Sequence, residues 1–256
     1  LKEKPKMIVA GFSAYSRNME WQRFKEIADE IGAITFADIA HIAGLIAAGE
    51  IDSPVPHFDV VSTTTHKTLR GPRGALIMSK AEHGKAIDKA IFPGMQGGPH
   101  DHINAAKAVA FKEALQPELK VYAKQVIKNA QKLAAELMSH GIRIISDGTD
   151  NHLMLVDVSS KGCSGKEAEH ALEKAAISCN KNMIPFDTRS PFDPSGIRLG
   201  TPAMTTRGAK EDDMVTLAGW IKDILENVHD EATQTRVRAE VLELCKRMPV
   251  PGIEIG

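Results

Sequence analysis

The chain has 256 residues, a formal net charge of −1 at pH 7 and 43% hydrophobic residues. Its length is enough for one large or two modest domains, and its apolar share permits an ordinary packed core. The balanced charge does not favour nucleic acid as a partner, and no apolar run reaches the roughly 18 residues of a membrane span. We therefore expect neither a nucleic-acid partner nor a membrane partner.

The cysteines are few, widely spaced and odd in number: Cys163, Cys179 and Cys245. This pattern suits reduced thiols in a reducing compartment better than a disulfide framework. We expect a cytoplasmic protein, with an organellar form as the alternative.

The first hundred residues alternate between short apolar runs and an amphipathic stretch. The predicted elements are a strand at 6–10, a helix at 20–31, a strand at 34–38, a helix at 41–48, and strands at 59–64 and 74–79. Such alternation predicts a mainly parallel sheet covered by helices, which binds ligands at the carboxyl ends of its strands.

The second half of the chain begins with a helical stretch from about Ile103 to Leu115, which Gln116-Pro117-Glu118 interrupts, and a second helix that continues to about Ser139. Because proline starts helices and interrupts them, we place a domain boundary there, giving domains 1–116 and 117–256. Further predicted elements are strands near 142–146, 152–158, 180–184 and 196–199, a helix at 165–177 and two final helices. The predicted fold class is α/β, with a mainly parallel sheet followed by a smaller α/β domain.

Lys67 stands at the end of one predicted core strand. Residues 60–67 read Val-Val-Ser-Thr-Thr-Thr-His-Lys, and Gly71–Gly74 then form a turn containing Arg73. Partial desolvation and nearby like charge both favour a neutral, nucleophilic amine. Such an amine can form a Schiff base with a carbonyl, including that of pyridoxal phosphate. The alternative is a surface lysine on a loop.

Asp38 ends the neighbouring predicted strand, 29 residues before Lys67, which leaves room for a crossover helix. An ionised carboxylate there could keep a pyridine nitrogen protonated, so that the ring acts as an electron sink. His41 follows three residues later and could reach a cofactor edge or a substrate. The alternatives are a helix N-cap for Asp38 and a hydrogen-bonded core histidine for His41.

Arg198 lies in a predicted strand flanked by Gly196 and Gly200. Strand alternation places its side chain opposite those of Ile197 and Leu199, and a planar guanidinium could bind a carboxylate through two hydrogen bonds. The alternative is a structural salt bridge.

Two other segments give weaker signals. Residues 92–99 form a glycine-rich loop whose N–H groups could bind a phosphate, although most such loops are simple turns. His100 and His102 flank Asp101, but neither a cysteine nor a further histidine completes a ligand set, so we expect no metal site.

Seven segments together resemble serine hydroxymethyltransferase, a pyridoxal-phosphate enzyme of the aspartate-aminotransferase fold type. They read GFSAYSR from Gly11, FADIAHIAGLIAAG from Phe36, TTTHKTLRGPRGA from Thr63, FPGMQGGP from Phe92, GTDNHLMLVD from Gly148, NKNMIPFD from Asn180 and SPFDPSGIRLGTPA from Ser190. They occur in family order over nearly the whole chain, and TTTHK followed by GPRG separates this family from most other enzymes with that cofactor.

The resemblance implies a transferase of amino-acid and one-carbon metabolism that interconverts serine and glycine, with tetrahydrofolate as co-substrate. It also implies a homodimer with shared active sites, or a tetramer. Family members have roughly a third more protein upstream, so this chain alone is expected to lack the complete site and to be inactive. The alternatives are a threonine-aldolase-like enzyme and a catalytically incomplete fragment.

The resemblance also implies roles for individual residues. The catalytic set is Lys67, His66, Asp38, His41 and Thr64. The further cofactor-binding residues are Ser13, Arg73, Gly97 and Gly98. The substrate-binding residues are Arg198, which holds the amino-acid carboxylate, and Asn182, Ser190, Pro191 and Phe192, which line the folate site.

Overall fold

A computed structural model describes residues 2–253, which divide into two compact units. The first unit holds the residues up to Ser13 and residues 18–123; the second holds Ala14–Arg17 and the chain from Lys124 onward. The division falls inside a long helix rather than in a loop. The domain boundary expected at Pro117 therefore stays a prediction.

The first unit is built on a four-stranded sheet. Its strands are β1 (Met7–Gly11), β2 (Ile34–Asp38), β3 (Val60–Thr64) and β4 (Ala75–Ser79), in the order β1-β2-β3-β4. The first three strands are parallel, and β4 returns antiparallel to β3. Helices α1 (Trp21–Ile31) and α2 (Ala43–Ala47) make the two parallel crossovers. This arrangement confirms the predicted mainly parallel sheet.

The strand register fixes which residues meet at the carboxyl edge of this sheet. Gly11 pairs with Asp38, and Asp38 pairs in turn with Ser62. Lys67 follows the last residue of β3 by three positions. Parallel strands end at the same edge, so the exits of β1, β2 and β3 lie side by side.

A buried network holds the strands near their amino ends. The Asp59 carboxylate accepts hydrogen bonds from the Thr35 amide at 2.8 Å and from its hydroxyl at 2.9 Å, and it pairs with Lys80 at 2.5 Å. Burial raises the pKa of Asp59, but the hydrogen bonds from Lys80 and Thr35 lower it more, to about 2. The carboxylate therefore stays ionised in the folded protein at neutral pH.

Helices follow the sheet. α3 spans Ala81–Lys89 and leads into a turn at Ala90–Met95, in which Phe92 and Pro93 are not helical; α4 (Asp101–Ala114) and α5 (Pro117–Ser139) come next. Both α4 and α5 were predicted, whereas α3 was not. No residue of α3 is fully buried, and Ile87 is its only large apolar side chain, so the apolar face that would indicate a helix is narrow.

The second unit contains an antiparallel sheet of four short strands. These are β5 (Arg143–Ile144), β6 (Leu153–Asp157), β7 (Asn180–Asn182) and β8 (Gly196–Gly200), in the order β5-β6-β8-β7. The strand predicted near 142–146 is shorter than expected, because Ser146 adopts a positive φ of 65° and the chain turns at Ile145–Asp147. Likewise, the predicted strand at 180–184 ends at Asn182.

Helices α6 (Gly165–Lys174), α7 (Pro202–Thr206), α8 (Glu211–Glu226) and α9 (Glu231–Arg247) complete this unit. Its core is one cluster in which Leu133 and Leu137 of α5 pack with side chains from β6, α6, α8 and α9. Ser164 and Glu167 form a capping box that fixes the start of α6.

The segment Ala14–Arg17 belongs to the second unit although it follows β1 in the chain. The hydroxyls of Ser16 and Ser146 lie 2.9 Å apart, and Arg17 pairs with Asp150 at 2.7 Å. Within residues 2–253, no helix has the length and apolar character needed to cross a membrane.

Candidate active site

A cavity of about 260 Å³ opens at the carboxyl edge of the parallel strands in the first unit. It is lined by Val9, Ala10, Gly11, Phe12, Ser13, Asp38, Ala40, His41 and Lys67. The lining comes from the end of β1, the exit of β2 and the turn after β3. Four residues predicted from sequence, namely Ser13, Asp38, His41 and Lys67, are thus brought together.

The Asp38 carboxylate is fixed by its own loop. Its Oδ1 accepts a hydrogen bond from the Ala40 amide at 3.0 Å. Helix α2 begins later, with Ile42 as its N-cap residue and no side-chain cap. The alternative of a helix N-cap for Asp38 is therefore wrong, and the carboxylate stands at the cavity wall.

The turn that carries Lys67 is held by main-chain and hydroxyl hydrogen bonds. The Arg70 amide donates to the Lys67 carbonyl at 3.0 Å, and the Gly71 amide donates to the Thr65 carbonyl at 2.7 Å. The Thr65 hydroxyl, which is fully buried, donates to the Pro72 carbonyl at 2.6 Å. The main chain on both sides of Lys67 is therefore held in place.

A second buried hydroxyl joins this turn to the loop after β2. Thr68 donates to the His41 carbonyl at 3.0 Å and accepts from the Gly44 amide at 2.9 Å. The approach is close, because a β-carbon at Gly44 would lie 2.2 Å from the Thr68 carbonyl oxygen. Thr68 was not predicted from sequence, although its position directly after Lys67 was the available signal.

Other residues predicted for the cofactor do not line the cavity. Thr64 lies beside it, with its hydroxyl 3.5 Å from the Ala40 carbonyl oxygen. The Nδ1 atom of His66 is buried and has no hydrogen-bond partner among the described residues. Arg73, Gly97 and Gly98 are exposed. The roles expected for these five residues stay predictions.

The predicted substrate residues all lie in the second unit. Arg198 is half-buried in β8 between the buried Ile197 and Leu199, as alternation predicted, and its Nη2 donates to the Asn180 side chain at 3.2 Å. Asn182 lines a separate cavity of about 350 Å³ together with Ala14, Tyr15, Ser16, Ile145, Ser146, Leu155, Met183, Ile184 and Pro185.

Ser190, Pro191 and Phe192 lie on an exposed loop and do not line that cavity. Among residues 2–253, no three histidine, cysteine, aspartate or glutamate side chains come close enough to hold a metal ion.

An amine, a carboxylate and an imidazole at the carboxyl edge of parallel strands define a class: an α/β protein with a ligand cavity suited to nucleophilic catalysis. The model of one family, described as serine hydroxymethyltransferase, matches residues 1–221. The chain belongs to the serine hydroxymethyltransferase family.

Curated relatives support this assignment. A serine hydroxymethyltransferase of Legionella pneumophila (strain Lens) is 59% identical over 98% of this chain and 60% of its own length. Relatives of the same name from Microcystis aeruginosa and Acidobacterium capsulatum are 58% and 56% identical, over 100% and 98% of this chain and 60% and 59% of their own lengths. The chain thus spans about 60% of the curated relatives it matches.

Proposed function

We propose that this chain is the lysine-bearing part of an enzyme that interconverts serine and glycine and transfers the one-carbon unit to tetrahydrofolate, with pyridoxal 5'-phosphate as cofactor. The observation that carries the proposal is the cavity shared by Asp38, His41 and Lys67 at the carboxyl edge of the sheet. Membership of the serine hydroxymethyltransferase family supports it.

The side chains present fit such a cofactor. A pyridine carbaldehyde needs an amine for its carbonyl group and an anion for its ring nitrogen. Lys67 and Asp38 bring these two groups to the same cavity from the turn after β3 and the end of β2. His66 adds a buried nitrogen without a hydrogen-bond partner among residues 2–253. When bound, the cofactor would supply a ring that withdraws electrons from the substrate α-carbon.

The residues of the first unit would then act as follows. Lys67 binds the cofactor through its ε-amine, and the hydrogen bonds made by Thr65 keep its turn in place. Asp38 would place its carboxylate against the ring nitrogen and favour a proton there. His41 would contact the bound ring or the substrate, and Ser13 lines the same cavity.

We assign substrate binding to residues of the second unit. Arg198 binds the amino-acid carboxylate, because a planar guanidinium can donate two parallel hydrogen bonds to it. Asn182 and the segment Ser190–Phe192 bind tetrahydrofolate. We also propose that the protein is a cytoplasmic homodimer whose loop at Gly97 and Gly98 reaches the cofactor phosphate of the neighbouring subunit.

Reductive trapping tests this proposal. The full-length protein that carries this chain is incubated with pyridoxal phosphate, reduced with borohydride, digested and mapped. We expect the pyridoxyl label on Lys67, and none after Lys67→Arg. Lys85→Arg, at an exposed lysine of α3, is the matched control and should label normally. A label on another lysine would refute the assignment of the site.

A further inference from the structure

The loop between β7 and β8 is unusually long for a hairpin. It covers the thirteen residues 183–195, whereas connections between paired antiparallel strands commonly have about two to five. Long ordered loops in compact domains are commonly functional. This loop carries Ser190, Pro191 and Phe192, to which we assign tetrahydrofolate binding.

One side chain, Asp187, holds the base of this loop. Its Oδ2 accepts hydrogen bonds from the Ile184 amide at 3.2 Å and the Ser195 amide at 2.9 Å. Its Oδ1 accepts from the Arg189 amide at 2.9 Å and from the Ser195 hydroxyl at 2.7 Å. Four donors therefore converge on a single carboxylate.

These contacts join the two ends of the loop to each other. Ile184 comes two residues after β7, and Ser195 directly precedes β8. Ser195 is also fixed to the sheet, since it is buried and its carbonyl accepts from the Val158 amide at 3.0 Å. Asp187 thus connects Ile184 and Arg189 of the loop to Ser195, which is fixed to the sheet.

The outer part of the loop is folded by its own hydrogen bonds. Arg189 pairs with Asp193 at 2.5 Å, and the Phe192 amide donates to the Ser190 hydroxyl at 3.3 Å. The Phe192 ring is nevertheless 85% exposed. Phe186, beside Asp187, is fully exposed and has a positive φ of 59°, a strained conformation for a bulky residue. Because this backbone conformation is unfavourable for phenylalanine, other contacts of the loop must hold Phe186 in it.

We propose that Asp187 is a positioning residue for tetrahydrofolate: by closing the loop 183–195 at its base, it sets the position of Ser190–Phe192. This inference rests on the proposed function, because the proposed function assigns that segment to the folate. All four hydrogen bonds of the Asp187 carboxylate are made to residues of the loop itself, so we assign Asp187 an action through the loop and no contact with the ligand.

Only a carboxylate satisfies this arrangement. An ionised aspartate accepts at both oxygens, whereas an asparagine of the same shape turns one oxygen into an NH₂ group. In Asp187→Asn, the NH₂ group would face either the Ile184 and Ser195 amides or the Arg189 amide and the Ser195 hydroxyl, so at least one main-chain N–H would lose its acceptor. Burial raises the pKa of Asp187, but its hydrogen bonds from Ser195 and Arg189 lower it more, well below the usual range, so the carboxylate is ionised at neutral pH.

The test compares Asp187→Asn with Asp212→Asn, a control at an exposed aspartate of α8. Both are made in the full-length protein loaded with pyridoxal phosphate. Tetrahydrofolate and serine affinities are measured by equilibrium titration, their KM values by steady-state kinetics, and loop mobility by amide hydrogen exchange. Ser195→Ala, which removes one of the four donors, is the milder second variant in case Asp187→Asn folds poorly.

We expect Asp187→Asn to weaken tetrahydrofolate binding and raise its KM by about tenfold or more, with serine KM changed less than about twofold. Exchange should quicken at the amides of Ile184, Arg189 and Ser195, and Ser195→Ala should show a smaller effect of the same kind. If the wild-type protein binds tetrahydrofolate and Asp187→Asn binds it equally well, Asp187 is only structural. If the wild-type protein does not bind tetrahydrofolate, the proposed function is wrong and this inference falls with it.

Discussion

Gly11 lies against Asp38 so closely that a β-carbon on the glycine would stand 2.2 Å from the aspartate carbonyl oxygen. The two residues are partners in the register of β1 and β2, and both line the cavity that contains Lys67. The absence of a side chain at Gly11 therefore allows the aspartate to take its place at the cavity wall.

Gly11→Ala should lower the free energy of unfolding by about 3 kcal/mol or more. The new methyl group meets main-chain atoms that cannot rotate away, and φ at this position is +145°. Gly32→Ala is the control: φ is +67°, but no atom lies within 4 Å of the added carbon, so a loss of only about 1 kcal/mol is expected. Urea unfolding measures both, and equal losses would show that the contact with Asp38 is unimportant.

Asp38→Asn should leave the fold nearly intact and reduce turnover by roughly a thousandfold or more, since an amide cannot hold a proton on a ring nitrogen. The carboxylate makes one hydrogen bond to its own loop, at Ala40, which an amide oxygen can also accept. Circular dichroism, unfolding and steady-state kinetics in the full-length protein are the measurements. Asp88→Asn, at an exposed site in α3, should be unaffected, and near-normal turnover of Asp38→Asn would remove the assigned role.

Arg198→Lys should raise the KM for serine by about tenfold or more while cofactor binding is retained. A lysine ammonium is a point charge and cannot reproduce the planar pair of hydrogen bonds to a carboxylate. The same change also breaks the contact with the Asn180 side chain. Asn180→Ala separates the two effects, because it should leave the serine KM nearly unchanged. An unchanged KM in Arg198→Lys would give Arg198 a structural role instead.

The stability of the first unit should fall in acid because of Asp59. Its folded pKa of about 2 lies below the ordinary value of 3.8, so its contribution is present above about pH 4 and is lost as the pH falls toward 2. A shift of this size corresponds to about 2 kcal/mol. Unfolding free energies measured between pH 5 and 2 should therefore fall about 2 kcal/mol further in the wild-type protein than in Asp59→Asn. Parallel curves for the two proteins would contradict the prediction.

The parallel strands and their exits could be predicted from sequence because the signals are local. Short runs rich in β-branched residues end at Asp38 and at Thr64, three residues before Lys67, and the turn at Gly71–Gly74 predicts the antiparallel return. These features can be recognised without knowing which residues pack against the strands. The same holds for the burial of Ile197 and Leu199 on either side of Arg198.

What sequence did not predict depends on distant partners or lacks an apolar pattern. Thr68 contacts Gly44, 24 residues away, and only the folded chain shows that the two approach so closely. The four hydrogen bonds of Asp187 likewise depend on the path of a loop. Helix α3 has no fully buried residue and a single large apolar side chain, Ile87, so its apolar face gives only a weak signal in the sequence.

The placement of Ala14–Arg17 in the second unit has a consequence for the order in which the protein can fold. Asp150, the ion-pair partner of Arg17, lies 133 residues later in the chain. The Ser16 carbonyl likewise accepts a hydrogen bond from the Asp150 amide, at 2.8 Å. The ribosome must therefore add at least 133 residues after Arg17 before this ion pair can form, and contacts of such long sequence separation form slowly. For the same reason, a piece beginning at Lys124 would leave Asp150 without Arg17, so no single cut can isolate the second unit whole.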